Sequence, residues 1–209
     1  MDPQVKFVLF EPSHPGNVGA AARAIKTMGF DLLCLINPKE HPHPEARARS
    51  SGALDVLLDA EVCDNLNDAI ENCGLVVGTT SRTRRISAPT STIRDVAPSI
   101  INKAKHKPVA ILFGPEKTGL MNEQIDCCNQ LINIPSSKSY RSLNLAMAIQ
   151  IIAYELNFAW QALPSEIEAR NLASNSEMEL FYEHLNQVLL ETGFLNPRNP
   201  RQLMRRLRT

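Results

Sequence analysis

Four stretches of this 209-residue chain concentrate side chains able to hold charge, or glycines that expose backbone. The first, Glu11 to Ala24 (EPSHPGNVGAAARA), carries Gly16, Gly19 and the run Ala20 to Ala22, which leave the main chain open to close approach by a ligand or another helix. Arg23 is the first large polar side chain after them, and a guanidinium is a permanent cation whose planar fork fits phosphate. The same spacing also describes plain helix packing with Arg23 as a solvated surface charge. The second stretch, Gly78 to Arg85 (GTTSRTRR), offers the hydroxyls of Thr79, Thr80 and Ser81 to a polar small ligand and the guanidinium groups of Arg82, Arg84 and Arg85 to phosphate. A solvated basic loop has the same composition. The third, Phe113 to Leu120 (FGPEKTGL), sets Glu116 between Gly114 and Gly119, so the backbone can pass close to a ligand while the carboxylate orients a partner. The fourth runs from Ile134 and Pro135 to Asn144 and opens a very apolar segment; Ser142 is of the N-cap type, whereas Asn144 is an amide in an otherwise apolar helix start.

Spacing excludes several chemistries. Gly16, Gly19 and Ala22 partly imitate G-x-G-x-x-G, but the first glycine pair is wrongly spaced and the next strand ends Ile36-Asn37-Pro38 with no acid to hold a ribose. Gly114 to Gly119 does not continue into Lys-Ser/Thr, which removes a P-loop and nucleotide hydrolysis. The cysteines Cys34, Cys63, Cys73, Cys127 and Cys128 are odd in number and lack C-x-x-C or Cys/His ligand spacing. They support neither a disulfide framework nor a metal, and a reducing cytoplasm is the expectation. His14 is of a type that moves protons near neutrality, although a loop histidine is more often incidental. His41 and His43, in a His-Pro-His-Pro turn, read as loop punctuation.

The elements that must position these residues follow from periodicity. Val5 to Phe10, Leu32 to Ile36, Leu75 to Val77, Val109 to Phe113 and Leu131 to Ile134 read as buried strands. Gly19 to Met28, Leu66 to Cys73, Thr92 to Lys105 and Glu123 to Cys128 alternate with them at helical spacing, so the fold class is α/β with a parallel sheet flanked by helices. Asn17 precedes the first helix as a cap, Gly29 follows it, and Asn65 opens a later one. Leu143 to Leu163 is a long helix that is apolar nearly all round, buried either wholly within the chain or on one face against the sheet and on the other against a second subunit. Residues 164 to 176 are polar and turn-prone, a linker to a helix over Met178 to Leu190 and a short helical tail from Pro200, a unit too small for its own core. The 44% hydrophobic and 21% charged residues describe a folded globule, and Lys plus Arg (22) balances Asp plus Glu (22). Any case for nucleic acid therefore rests on local clusters such as the tail, where Arg198, Arg201, Arg205, Arg206 and Arg208 stand with no acid. No run is long and unbroken enough for a membrane span, and the N-terminus lacks the form of a signal peptide.

Taken in order, N-x-G-x-x-x-R-A (Asn17 to Ala24), L-F-G-P-E-x-x-G-L (Leu112 to Leu120), and I-P followed by S-x-N-L-A-x-A (Ser142 to Ala148) resemble the three motifs of the SPOUT, or α/β-knot, RNA ribose-2′-O-methyltransferases. They span about residues 5 to 160. T-S-R-x-R from Thr80 and the C-terminal run from Met178 to Pro197 resemble the branch that methylates the ribose of nucleotide 32 in the tRNA anticodon loop. The resemblance implies a methyltransferase domain over 1–163 with a trefoil knot through Ile134 to Ser142, a linker over 164–176, and a helical C-terminal extension over 177–209.

The resemblance also implies S-adenosylmethionine as methyl donor, no metal, tRNA as partner, and a homodimer in the cytoplasm. Arg23, Asn17, Glu116 and Ser142 match the catalytic set; Thr79, Thr80, Ser81, Gly114, Ile134, Ser142, Leu143 and Asn144 match the donor site; Arg82, Arg84 and Arg85 match RNA contacts. Such a reaction needs alignment and a way to handle the hydroxyl proton, and a guanidinium suits orientation and charge stabilisation better than proton abstraction. Neutral walls suit the donor, since a cation beside a sulfonium is repelled. The alternatives are a relative acting on ribosomal RNA or another tRNA position, and a non-catalytic RNA-binding relative of the same fold.

Overall fold

A computed structural model of the chain describes residues 2–81, 90–162, 173–196 and 202–208. Arg82, Arg84 and Arg85, most of the expected linker, and Arg198 and Arg201 lie outside the described residues. The strands β1 (Val5–Phe10), β2 (Leu33–Ile36), β3 (Glu61–Cys63), β4 (Leu75–Thr79), β5 (Thr90–Thr92), β6 (Val109–Phe113) and β7 (Gln130–Asn133) form one sheet in the order β3-β2-β1-β6-β4-β7-β5. Every pairing is parallel, with Phe7 opposite Leu33 on one side and Ile111 on the other.

Alternation along the strands divides the core in two. Phe7, Leu9, Leu35, Val77, Ile111, Phe113 and Ile132 point to one face, where α1 (Pro15–Thr27), α5 (Ile93–Ala104) and α7 (Leu145–Ala162) cover them. Val8, Cys34, Ile36, Val76, Ala110, Leu112 and Leu131 point to the other, under α4 (Leu66–Ile70) and α6 (Asn122–Asp126). Burial on both faces is why these strands read as continuous apolar runs.

The expected strands and main helices are present, with shifts that have local causes. The first helix starts at Pro15, because proline is preorganised for the first turn, and its N-cap is His14, which makes no side-chain cap. Asn17 is therefore not the cap; it lies inside the first turn with its amide free for tertiary contact. Gly29 follows the helix at φ +80, and Asn65 caps α4 by accepting from the Asp68 amide. The helices α2 (Pro44–Ser50) and α3 (Leu54–Leu58), and the short strands β3 and β5, are additions to the expected set.

The helix α7 is not wholly buried. Leu145, Ile149, Ile152, Ala153, Leu156 and Ala159 face the core, while Met147, Tyr154 and Phe158 are 63%, 51% and 62% exposed on another face. Glu155 is buried beneath the exposed Arg94 guanidinium, which donates to it at 2.6 Å. The C-terminal helix α8 (Asn175–Glu191) starts earlier than the expected Met178, because Ser174 and Glu177 close a reciprocal capping box. It docks on the domain: the Ser176 amide donates to Glu71 O at 3.1 Å, Lys107 pairs with Glu177 at 3.3 Å, and Tyr182 and Leu195 are buried. The tail helix α9 (Leu203–Leu207) is tied down by Arg205 on Asp126 and by Arg208, which forks onto Glu179 and lies over the Tyr182 ring. These two arginines, grouped in the sequence with a basic RNA-binding tail, are engaged with carboxylates of their own chain.

Close packing of α1 on α2 depends on Gly19, where a Cβ would meet the backbone carbonyl of Ala46. Alanine at position 19 gains helix propensity of about 1 kcal/mol, but overpacking against main chain costs up to about 3 kcal/mol, so Gly19→Ala is expected to lose a net ~1–2 kcal/mol. Urea unfolding measures this, and an unshifted midpoint would contradict the assigned packing.

Candidate active site

In open parallel sheets, loops at the carboxyl ends of strands diverge where the strand order reverses and leave a crevice. Here β1 and β6 are neighbours, and the loops after them carry the first and third of the chemistry-bearing stretches. The Glu116 carboxylate bridges the two. Its Oε2 accepts from the Ser13 amide (3.0 Å) and the Ser13 hydroxyl (2.7 Å), and its Oε1 accepts from the His14 amide (3.3 Å) and Asn17 Nδ2 (2.9 Å). Asn17 Oδ1 in turn accepts from Asn144 Nδ2 at 2.9 Å. Asn144 Oδ1 completes the relay by accepting from the amides of Ala146 (3.0 Å) and Met147 (3.3 Å), capping α7. Asn144, and not Ser142, is thus the residue whose side chain caps that helix.

The relay has one sense throughout: each amide NH₂ donates towards Glu116. Burial alone pushes a carboxylate up, but hydrogen bonds from Asn17 and from the Ser13 amide and hydroxyl outweigh it and hold Glu116 down at about 2. It is a fixed anion and a poor proton acceptor at neutrality.

Beside the relay lies a cavity of about 610 Å³. Its floor is formed by the ends of β4, β6 and β7, and its far wall by the first turns of α7. Thr79, Thr80, Ser81, Gly114, Ile134, Ser142 and Leu143, seven of the expected donor-site residues, line it together with Glu116; Asn144 is one step outside, in the relay. Leu120, Ile132, Leu145 and Ile152 supply apolar wall. The Thr79 hydroxyl donates to Leu112 O at 2.9 Å, so it can offer a ligand only its oxygen lone pairs. The loop between β6 and α6 folds tightly enough that a Cβ on Gly114 would overlap the backbone of Gly119 and Leu120, and Gly119 takes φ +66. Only glycine fits both demands.

Arg23 is not in the cavity wall. It stands exposed on α1, nearly two turns beyond Asn17. Lys117 and Arg141 do line the cavity, at exposed positions on its rim, a departure from the neutral walls expected from the sequence. Ser13 was also missed: it precedes the glycine-rich turn and belongs to no familiar spacing. His14 contributes its backbone amide, and His43 caps α2 by accepting from the Glu45 amide at 3.1 Å.

Away from the cavity, pairing of β2 with β3 brings together thiols that are 29 residues apart. Cys34 Sγ lies 3.8 Å from Cys63 Sγ, and Glu61 Oε1 lies 3.6 Å from Cys63 Sγ. Burial pushes the Cys34 thiol well up and Cys73 up to about 11, and the Lys6 ammonium already occupies Glu61 at 2.7 Å. The neutral thiols pack as core.

Residues 4–154 match the SpoU rRNA Methylase family, and residues 176–209 match the C-terminal domain of the tRNA methyltransferase TrmJ. The tRNA (cytidine/uridine-2′-O-)-methyltransferase TrmJ of Klebsiella pneumoniae is 42% identical over 210 residues, covering 98% of this chain and 86% of that one. The crystal structure of TrmJ from Z. mobilis ZM4 is 32% identical with a TM-score of 0.81, over 98% of this chain and 88% of that chain. The SpoU methyltransferase AviRb from Streptomyces viridochromogenes, crystallised with the cofactor AdoMet, shares the fold at 22% identity and a TM-score of 0.62, over 78% and 62% of the two chains.

Because the Glu116 carboxylate sits below its usual 4.5 in the folded chain, it favours the folded state fully above about 4.5 and loses that advantage as pH falls towards 2. Glu116→Gln is expected to flatten this limb of a stability–pH profile measured by urea unfolding. A limb as steep in the variant as in the native chain would remove Glu116 as its source.

Proposed function

The chain belongs to the SpoU rRNA methylase family and carries the C-terminal domain of TrmJ, and on that premise we propose that it is a tRNA ribose-2′-O-methyltransferase using S-adenosylmethionine and acting on nucleotide 32 of the anticodon loop. The observation that carries the reading is the relay Glu116–Asn17–Asn144, which joins all three motif segments at the rim of a cavity large enough for a nucleoside.

The cavity fits such a donor. Ile132, Ile134, Leu145 and Ile152 offer apolar wall for a purine, and the Gly114 turn brings main chain to the surface. Lys117 and Arg141, exposed lining residues, are of a type suited to a carboxylate or to RNA phosphate. When bound, the donor supplies a methyl group already activated on a sulfonium centre.

What remains for the chain is alignment. Arg23 orients the ribose and an adjacent phosphate and stabilises negative charge developing on the 2′-oxygen. Asn17, held between Glu116 and Asn144, fixes the first turn of the helix that carries Arg23. Glu116 is a positioning residue: held at about 2, it stays an anion while the hydroxyl proton leaves by another route. Ser142, which lines the cavity, contacts the ribose in this reading. Arg82, Arg84 and Arg85 complete the RNA contacts in this reading. It also includes a trefoil knot through Ile134 to Ser142, a reading supported by the family match and by the return of the chain after β7 to set Asn144 against Asn17. Among the described residues no helix is long and apolar enough to cross a membrane.

Arg23→Ala is expected to bind S-adenosylmethionine within a few-fold of native by isothermal titration and to lose most transfer of tritiated methyl to unmodified tRNA. Near-native turnover would refute Arg23, and label mapped by mass spectrometry to a nucleotide other than 32 would refute the site.

The same reading makes the working unit a homodimer, with the exposed Met147–Tyr154–Phe158 stripe of α7 against a second copy. Sedimentation should give a dimer at micromolar concentration and a monomer for Phe158→Glu; a native monomer would overturn this part.

A further inference from the structure

We propose that Arg49, on α2, is a second phosphate-binding arginine of the RNA surface, standing beside Arg23 across the seam between α1 and α2. The inference rests on the tRNA reading above.

Six of the described cations beyond the cavity rim are neutralised within the chain. Lys6 pairs with Glu61, Lys26 with Asp55, Arg94 with Glu155, Lys107 with Glu177, Arg205 with Asp126 and Arg208 with Glu179. Arg23 and Arg49, with Arg47 on the same helix as Arg49, are exposed, and none of these guanidinium groups has a carboxylate or hydrogen-bond partner among the described residues. On a chain with equal numbers of acidic and basic residues, unpaired guanidinium groups on adjoining helices are a local excess of charge.

Their adjacency follows from the seam. Glu45 lies against Gly16, Ala46 lies against Gly19, and further along Lys26 reaches Gly52 O at 3.1 Å, so α1 and α2 run in the same direction. Arg23 follows Gly16 on the same side of α1 by about two turns, and Arg49 follows Glu45 on one side of α2 by about one. Both arginines therefore rise from the Gly16–Glu45 contact towards solvent, on helices held close by the missing side chain at position 19.

The nearby acid does not cancel them. The Glu45 carboxylate is turned into the space beside Gly16 at the first turn of α1, where a helix N-terminus favours an anion. Two forked cations on adjoining helices suit successive phosphates of a single RNA strand, one next to the reacting ribose and one a nucleotide away.

The test compares native chain, Arg49→Gln, Arg49→Lys and Lys105→Gln with an unmodified tRNA transcript. Lys105 is the control because it follows α5 at the opposite end of the sheet, where the Ala104 carbonyl meets the start of β1. For Arg49→Gln we expect KM and Kd for tRNA to rise about ten-fold and the slope of log affinity on log salt to shrink by ~0.7. Turnover at saturating tRNA and donor binding should stay native, Arg49→Lys should recover much of the loss, and Lys105→Gln should match native. Native affinity and salt slope in Arg49→Gln, or an equal loss in Lys105→Gln, would overturn the assignment. A native chain that methylates tRNA while indifferent to Arg49 sinks this inference alone; a native chain that neither binds nor methylates tRNA sinks the reading beneath it as well.

Discussion

The site depends on one buried-edge anion. Glu116 sits where the loops after two adjacent parallel strands diverge, and it gathers donors from Ser13, His14 and Asn17. A carboxylate accepting several hydrogen bonds is worth more than a single exposed ion pair elsewhere on the surface, because its partners are preoriented and partly withdrawn from water. Remove the charge and Ser13 and Asn17 lose their common acceptor, and with it the registration between the helix that carries Arg23 and the loop that walls the cavity.

A second constraint is steric. The first helix is lined with glycine and alanine where it meets α2, so the two helices approach closely. The sheet enforces the rest: covered on both faces, it fixes the ends of β4, β6 and β7 in a plane, and the cavity is the gap their diverging loops leave. Chemistry and packing therefore share residues, which is why Gly19 and Gly114 read equally well as structural and as functional in the bare sequence.

Much of this was legible beforehand, for identifiable reasons. The strands Val5–Phe10 and Val109–Phe113 are central and buried on both sides, so their apolar runs coincide with the observed bounds. Glu61–Cys63 and Thr90–Thr92 are short edge strands, two of them largely exposed residues in the first case, and carry no comparable pattern. The helix Pro44–Ser50 hides behind its arginines. Asn17 is an excellent cap by type, but Pro15 starts the helix earlier and frees the amide for Glu116. Ser13 and the pairing of Cys34 with Cys63 could not be read, since each depends on strands brought together across long separations. The residues expected from the family motifs to form a donor site line one cavity, whereas the self-pairing of Arg205 and Arg208 depended on carboxylates in distant elements.

The double duty of Asn144 has a mechanical corollary. One end of its side chain terminates α7 and the other grips Asn17, so the helix cannot rotate or slide by a fraction of a turn without letting go of one or the other. The joint works as a detent. Whatever seats against the outer stripe of α7 is thereby geared to the angle at which the neighbouring helix presents its arginine, and a disturbance far out on that stripe is felt at the mouth of the cleft as misalignment, with no change in the cleft's own composition.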